Sequence, residues 1–135
     1  MERVNSGCGH KWVLSISSTC QWYRLPVKRS RYYIGVKEIF FKGLPVDINI
    51  FHIVLSPNVS GEATYANNGR SISAIKTVIM EGQNVKIDFS DHMEYYVIDF
   101  LQTETLQVTI MDNDGKRIDS NGIQGIIVLH MVELK

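Results

Sequence analysis

Apolar and polar residues alternate along most of this chain. The segment "NVKIDF" (residues 84–89) alternates strictly, and "LQVTIM" (residues 106–111) does the same. Successive side chains of a β-strand point to opposite faces, so a period of two is typical of a strand buried on one face. We therefore predict that six apolar side chains in these segments face the core: Val85, Ile87, Phe89, Leu106, Val108 and Ile110.

Other stretches are rich in β-branched and aromatic residues without helical periodicity: "VLSIS", "YIGVKEIFF", "INIFHIVLS", "ISAIKTVIM", "EYYVIDF" and "GIIVLHMVEL". The connections between them carry the Gly, Pro, Asn and Asp that turns use. About eight strands with this spacing predict an all-β domain. We interpret it as a single eight-stranded antiparallel jelly-roll sandwich. An immunoglobulin-like sandwich is the runner-up, but the Cys–Trp–Cys arrangement of that fold is absent.

The first part of the chain differs in composition from the rest, being Ser-rich and then basic. We expect residues 1–31 to form an extended N-terminal arm with a possible first strand, and residues 32–135 to form the jelly-roll domain. The longest connection, Ser56–Arg70, exceeds the usual loop length, which predicts either a functional loop or a crossing between sheets.

Composition excludes several classes of protein. A chain of 135 residues has the size of one domain. Its 14 basic and 14 acidic residues give a formal net charge of zero, which argues against a nonspecific nucleic-acid binder, and we expect no specific nucleic-acid partner. No apolar run reaches the roughly 18 residues of a membrane span, and we expect no secretory signal. Two cysteines are too few for a disulfide framework, so a reducing compartment is expected.

Metal sites are predicted to be absent. Asp112, Asp114 and Asp119 suggest a calcium loop, but an EF-hand needs Gly at the sixth position and Glu at the twelfth. Gly115 is the fourth residue from Asp112, and the twelfth is not Glu, so we predict a turn at Asp114-Gly115 instead. Cys8, His10 and Cys20 lack the tight pair and fourth ligand of structural zinc.

We accordingly expect a chelator to leave the melting temperature unchanged. A drop of several degrees on adding EDTA would contradict that expectation.

No catalytic or cofactor motif is present in the sequence. The four histidines, His10, His52, His92 and His130, form no H-x-H or H-x-x-x-H pair, so the ligand pair of a cupin-type enzyme is missing. We predict that His130 is packed and hydrogen-bonded rather than catalytic. The segment "SDHMEYY" offers Asp91, His92 and Glu94 in one turn, which we interpret as solvated. The sequence predicts a protein that is not an enzyme and needs no cofactor.

Two sets of residues are candidate assembly contacts. The last strand is apolar on both faces, which is typical of a central strand covered twice or of a surface exposed at an oligomer contact. From this strand we select Ile127, Leu129 and Met131. The basic residues Arg24, Lys28, Arg29 and Arg31 either contact a neighbouring subunit's acidic surface or keep the arm soluble. We favour solubility, because exposed ion pairs contribute little.

Three stretches resemble jelly-roll capsid proteins of Polinton/Maverick elements, adintoviruses and related DNA viruses. "YYIGVKEIFF" (Tyr32–Phe41) is similar to an early strand of the form W-E-V-G-L-x-E-I, without its Trp. "INIFHIVLSPNVSGEATYANNGRSISAIKTVIM" (Ile48–Met80) resembles the family's aromatic strand, polar loop and following strand. "LQTETLQVTIMDNDGKRIDSNGIQGIIVLHMVEL" (Leu101–Leu134) resembles its C-terminal D-x-x-G-x-x-[VI] turn and the strand ending V-x-L-H.

The resemblance implies a structural virion protein. Major capsid proteins of that family contain two jelly rolls and this chain has room for one, which favours a penton (vertex) or other minor capsid protein, or a domesticated cellular relative. Such a protein would be a homo-oligomer, with a pentamer favoured, bound to other capsid proteins in a virion assembled inside the host cell. The rival hypothesis is a lectin-like or TNF-like module that binds a glycan or receptor through Tyr65, Asn67 and Asn68 of the long loop.

Overall fold

The computed structural model describes residues 9–60, 64–65, 69, 71–118 and 122–134, with residues 64–65 described by their backbone alone. Strands account for most of this part of the chain, together with one short 3₁₀ turn at Ser90–His92. The strands are β1 His10–Ile16, β2 Cys20–Arg24, β3 Arg31–Lys42, β4 Ile50–Ser56, β5 Thr64–Tyr65, β6 Ser71–Ile72, β7 Ala74–Ile79, β8 Val85–Asp88, β9 Tyr96–Asp99, β10 Thr105–Asp112 and β11 Gln124–Glu133. The predicted all-β class is confirmed.

Two antiparallel sheets form a sandwich. The five-stranded sheet has the order β1-β11-β3-β8, with β9 also paired to β3, and the four-stranded sheet has the order β2-β10-β4-β7. Strands β8 and β9 pair with successive parts of the same edge of β3. Strands β5 and β6 form a separate two-stranded pair, from which Ile72 packs against Val54 and Met111 of the four-stranded sheet. The two sheets therefore hold eight strand positions, in the order of a double-sheet jelly roll.

The core lies between the inner faces of the two sheets. Leu106, Val108 and Ile110 are at most 1% exposed, as the alternation of β10 predicts. Val85 and Ile87 point to the same core but are only half-buried, because β8 lies at the edge of its sheet and is covered less completely. The predicted inward register is confirmed for both strands.

Residues 9–31 belong to the two sheets and do not form an extended arm, and β1 is the first strand that the expectation left possible. β1 pairs with β11 along its whole length, and β2 pairs with β10 in the other sheet. Leu14 and Ile16 are buried and Trp12 packs against the core. The physical reason is the alternation of these three side chains, which gives β1 an apolar inner face despite its polar surroundings. Residues 1–8 lie outside the described part.

The connection from β4 to β7 reaches the opposite sheet. The Ser60 N–H donates to the Val97 carbonyl oxygen at 2.8 Å, which forms an isolated bridge to β9. Val59 beside it is buried in the core. The connection begins and ends in the four-stranded sheet, where β4 and β7 are neighbours, so the prediction of a crossing between sheets is wrong. The prediction of a functional loop stays a prediction.

Candidate interaction surface

The basic residues chosen as assembly contacts mostly pair within the chain. Arg24 lies 2.9 Å from Glu104, Lys28 lies 3.5 Å from Glu133 and Arg31 lies 3.7 Å from Asp99, in each case between nitrogen and carboxylate oxygen. Arg29 is exposed. The four are spread over β2, the following loop and the start of β3, so the structure does not bring them together as one patch. Exposed pairs of this kind contribute little to stability.

The apolar residues chosen from the last strand lie in the core. Ile127, Leu129 and Met131 are 0% exposed, so they cannot touch a neighbouring subunit. The reason is the position of β11, which lies between β1 and β3 and turns these three side chains towards the other sheet. The residues of β11 that face outwards are those of the other parity, and Ile126 is 40% exposed.

The aspartate-rich stretch forms the predicted turn. One carboxylate oxygen of Asp112 accepts hydrogen bonds from the backbone N–H groups of Asp114 (2.9 Å) and Lys116 (3.0 Å). Gly115 has a φ of 79°, the left-handed conformation in which glycine is unstrained. The carboxylate that suggested a calcium ligand is thus already bonded to its own backbone. Asp119 lies outside the described residues.

The same turn covers a buried histidine on the outer face of the four-stranded sheet. His52 is 1% exposed. Its Nε2 lies 3.1 Å from the Asn113 amide oxygen, and its Nδ1 lies 2.8 Å from the Thr77 hydroxyl. Sequence reasoning missed this contact, since Asn113 and His52 are brought together by the pairing of β10 with β4.

A second buried histidine lies on the outer face of the five-stranded sheet. His130 is 8% exposed, and its Nδ1 lies 2.7 Å from the Tyr95 hydroxyl. The segment between β8 and β9 passes over Gly35, where an added Cβ would lie 2.7 Å from the Glu94 carbonyl oxygen and 3.3 Å from the Tyr95 ring. Gly35 therefore allows the segment to lie flat on the sheet. The prediction that His130 is packed and hydrogen-bonded is confirmed.

The segment that carries Asp91, His92 and Glu94 is exposed, as the sequence predicts. Within it, Glu94 makes contacts across the sandwich. Its carboxylate accepts a hydrogen bond from the Tyr96 hydroxyl at 3.0 Å and lies 3.4 Å from the Lys76 ammonium of the other sheet. These two contacts, the hydroxyl first, lower the pKa of Glu94, because both favour the charged carboxylate. Lys76 also lies over the Phe89 ring, 4.2 Å from its centroid.

Large apolar side chains are exposed on the edge strands. Trp22 on β2 is 59% exposed, Val13 on β1 is 58% exposed and Ile79 on β7 is 74% exposed. Each of these strands ends a sheet. Sequence reasoning missed them. An apolar residue on the outer face of a strand can be recognised only when it is known which face of that strand points to solvent. An exposed Trp surrounded by polar residues is the kind of side chain that dominates protein–protein contacts.

A shallow cavity of about 200 Å³ lies on the outer face of the four-stranded sheet. Its floor includes Val54 and Met111, and its rim includes Asn58, Ser71 and Ser73. This volume is below the range usual for small-molecule sites. It lies beside the long loop named by the rival hypothesis. Asn67 and Asn68 of that loop, and the Tyr65 side chain, lie outside the described residues.

Across the described ranges, no cluster of three or more His, Cys, Asp or Glu side chains has the geometry to hold a metal ion. Cys8 lies outside those ranges. In the same part of the chain, no helical segment has the length and apolar character needed to cross a bilayer.

The chain matches no protein-family model, and no curated protein is similar to it in sequence. The candidate interaction surface consists of the sheet edges with exposed apolar side chains.

Proposed function

We propose that this chain is a structural virion protein, a single jelly-roll capsid component at a vertex (penton) or another minor capsid position. It acts through contacts between subunits. The observation that carries the proposal is the strand order β1-β11-β3-β8 and β2-β10-β4-β7, since the double-sheet jelly roll is a recurrent capsid architecture. The resemblance of residues 32–134 to capsid proteins supports it at the level of sequence.

The surface chemistry supports a role in assembly rather than in reaction. Three of the exposed large apolar side chains, Val13, Trp22 and Ile79, lie on strands that end a sheet. The buried polar side chains His52 and His130 have hydrogen bonds within the chain, and neither lines the described cavities. Inference from a shared fold is an analogy, so the test must address assembly directly.

Particles purified from cells that carry the gene provide that test. We expect the chain to sediment with the capsid through a density gradient, at a fixed stoichiometry that survives a wash with high salt. An abundant chain that stays in the soluble fraction while capsids form without it would contradict the proposal.

The rival function, a lectin-like or TNF-like binding module, is favoured by one observation. The cavity near Asn58 combines an apolar floor with hydroxyl and amide groups at its rim, which suits a hydroxyl-rich ligand. A glycan array probed with the purified protein separates the two hypotheses. Selective binding that is lost in Asn58→Ala would favour the module, whereas association with particles and no glycan binding favours the capsid role.

A further inference from the structure

The four-stranded sheet has two open edges in the part of the chain that the structure describes. β2 forms one edge and β7 the other, and no described strand pairs with their outer sides. A sheet edge presents unpaired N–H and C=O groups, which form a template for another strand. The hydrogen bonds that β2 and β7 make within the sheet identify the residues whose N–H and C=O groups point outwards.

On β2, two residues turn their backbone outwards. The Thr19 carbonyl oxygen accepts from Ile110 N–H, and Leu25 N–H donates to the Glu104 carbonyl oxygen, each at 2.8 Å. In an antiparallel pair, residues bonded to the partner strand alternate with residues that face away. Odd-numbered residues therefore bond to β10, and Trp22 and Arg24 direct their N–H and C=O groups to the open edge.

The same edge is closed at its beginning. The Ser18 hydroxyl donates to the Cys20 carbonyl oxygen at 3.1 Å and accepts from Cys20 N–H at 3.3 Å. Cys20 thus has its outward backbone groups occupied. The open part of the β2 edge is limited to Trp22 and Arg24.

On β7, the alternation selects two residues of the opposite edge. Met80 N–H donates to the Asn49 carbonyl oxygen at 2.7 Å, and β7 is antiparallel to β4. Val78 consequently bonds to β4, while Thr77 and Ile79 direct their backbone groups outwards. Both residues are exposed.

The two edges are complementary in direction. All neighbouring strands of this sheet are antiparallel and there are four of them, so β2 and β7 run in opposite directions. A second copy, related by rotation about an axis roughly parallel to the strands, brings its β7 alongside β2 in antiparallel orientation. Antiparallel pairing that places Trp22 opposite Ile79 also places Arg24 opposite Thr77, so every outward-facing residue of one edge meets one of the other.

We propose that β2 of one copy pairs with β7 of the next copy in this register, which makes the four-stranded sheet continuous between subunits. Trp22 and Ile79 lie on the same outer face and are 59% and 74% exposed in the single chain. The pairing would cover each with the other and add cross-strand contact to the backbone hydrogen bonds. The contact joins two different surfaces, so its repetition gives a ring where the rotation between copies closes, as a vertex position requires, and a filament where it does not. The ring rests on the proposed function, which requires subunits to associate.

Two charge substitutions test the pairing on the full chain. Trp22→Glu and Ile79→Glu should each raise the concentration of half-assembly by roughly 30-fold or more, the effect of losing a central aromatic anchor. An equimolar mixture of the two variants retains one native Trp22–Ile79 contact and one contact between two glutamates. The mixture should therefore stop at a dimer, which sedimentation velocity distinguishes from both the wild-type oligomer and the monomeric variants.

Val46→Glu is the matched control, because Val46 is 82% exposed but lies in the loop between β3 and β4 and belongs to neither edge strand. It should assemble like the wild type, and near-UV circular dichroism should show all three variants folded. Wild-type assembly unchanged in either edge variant, or a mixture that stays monomeric, would overturn the pairing. So would a wild-type chain that is monomeric at its solubility limit. These outcomes test only the pairing of β2 with β7. The proposed function is tested separately, by whether the chain sediments with purified particles.

Discussion

The outer faces of the two sheets are covered by the chain in different ways. On the five-stranded sheet, the segment between β8 and β9 lies on Gly35 and places the Tyr95 hydroxyl against His130. On the four-stranded sheet, a hairpin turn places the Asn113 amide against His52. The first cover depends on backbone approach over a glycine, and the second depends on one side chain at the tip of a turn.

This difference indicates that the two covers contribute differently to stability. Tyr95 is itself buried and packs its ring against His130, with centroids 5.7 Å apart, so its loss removes both packing and a hydrogen bond. Asn113 is half-exposed in a turn that Asp112 already stabilises through its own backbone bonds. We expect the cover of the five-stranded sheet to be the stronger of the two.

The largest loss of stability is expected from a substitution on the inner face of β11. The comparison of the two sheets depends on which residues of this strand face inwards and which face outwards. Ile127 and Ile126 are neighbours on β11, and one is 0% and the other 40% exposed. Ile127→Ala should lower the free energy of unfolding by about 2–5 kcal/mol, because it leaves a cavity in the core. Ile126→Ala should cost well below that. Equal losses in chemical denaturation would show that the faces are wrongly assigned.

Gly35→Ala should break the stronger cover. The added methyl group would meet the Glu94 carbonyl oxygen at 2.7 Å, so the backbone of the segment must move. We expect a loss of roughly 1–3 kcal/mol, as for other forced contacts in packed regions. Gly69→Ala cannot serve as the control, because the φ of Gly69 is 82° and an alanine would be strained there. Ser15→Ala, at an exposed position of β1, is the control instead. Thermal melts in which both variants behave like the wild type would contradict the close approach.

Single hydrogen-bonding groups allow a finer comparison. Tyr95→Phe removes one partner of a buried histidine and should cost about 1–3 kcal/mol. Asn113→Ala removes one partner of His52, which keeps Thr77, and we expect about 0.5–1.5 kcal/mol. Urea denaturation of both variants gives the ranking. A larger loss for Asn113→Ala would reverse our conclusion about the two covers.

The smallest effect concerns Glu94, which lies in the segment between β8 and β9 that covers Gly35. Its pKa is lowered in the folded protein by the Tyr96 hydroxyl and then by Lys76. A lowered folded pKa contributes stability that is present above the unfolded value of about 4.3 and is lost as the pH falls through the folded pKa. Glu94→Gln should therefore lower the melting temperature slightly at pH 7, where the contribution is present, and should match the wild type below the folded pKa, so the acid side of its melting profile is flatter. A variant with an unaltered acid limb would show that these contacts are not formed in solution.

The sequence predicted strands well where one face is apolar and the other polar. β10 is such a strand, and its inner residues follow the alternation directly. The prediction failed for Ile127, Leu129 and Met131, because a strand that is apolar on both faces does not reveal which face is inside. That choice depends on the pairing of β11 with β1 and β3. For residues 1–31 the sequence predicts only a possible first strand within an arm, because the serines and basic residues there obscure the alternation of Trp12, Leu14 and Ile16.

The candidate site was harder to predict than the fold. Trp22 and Ile79 are 57 positions apart in the sequence, and neither belongs to a motif. Their relation follows from the number and direction of strands in one sheet, which only the tertiary structure supplies. The two covering contacts are similar, since each joins a histidine to a residue of a distant loop.

The central position of β11 also fixes when the molecule can fold during its synthesis. Residues 124–133 are made after all other strands, yet β1 and β3 pair with them and not with each other. A nascent chain that lacks these residues has a gap in the middle of one sheet and an inner layer exposed to water. Such chains carry unpaired edges that favour aggregation. The sandwich can therefore close only after residues 124–133 have left the ribosome, and its folding is dominated by slow, non-local pairing.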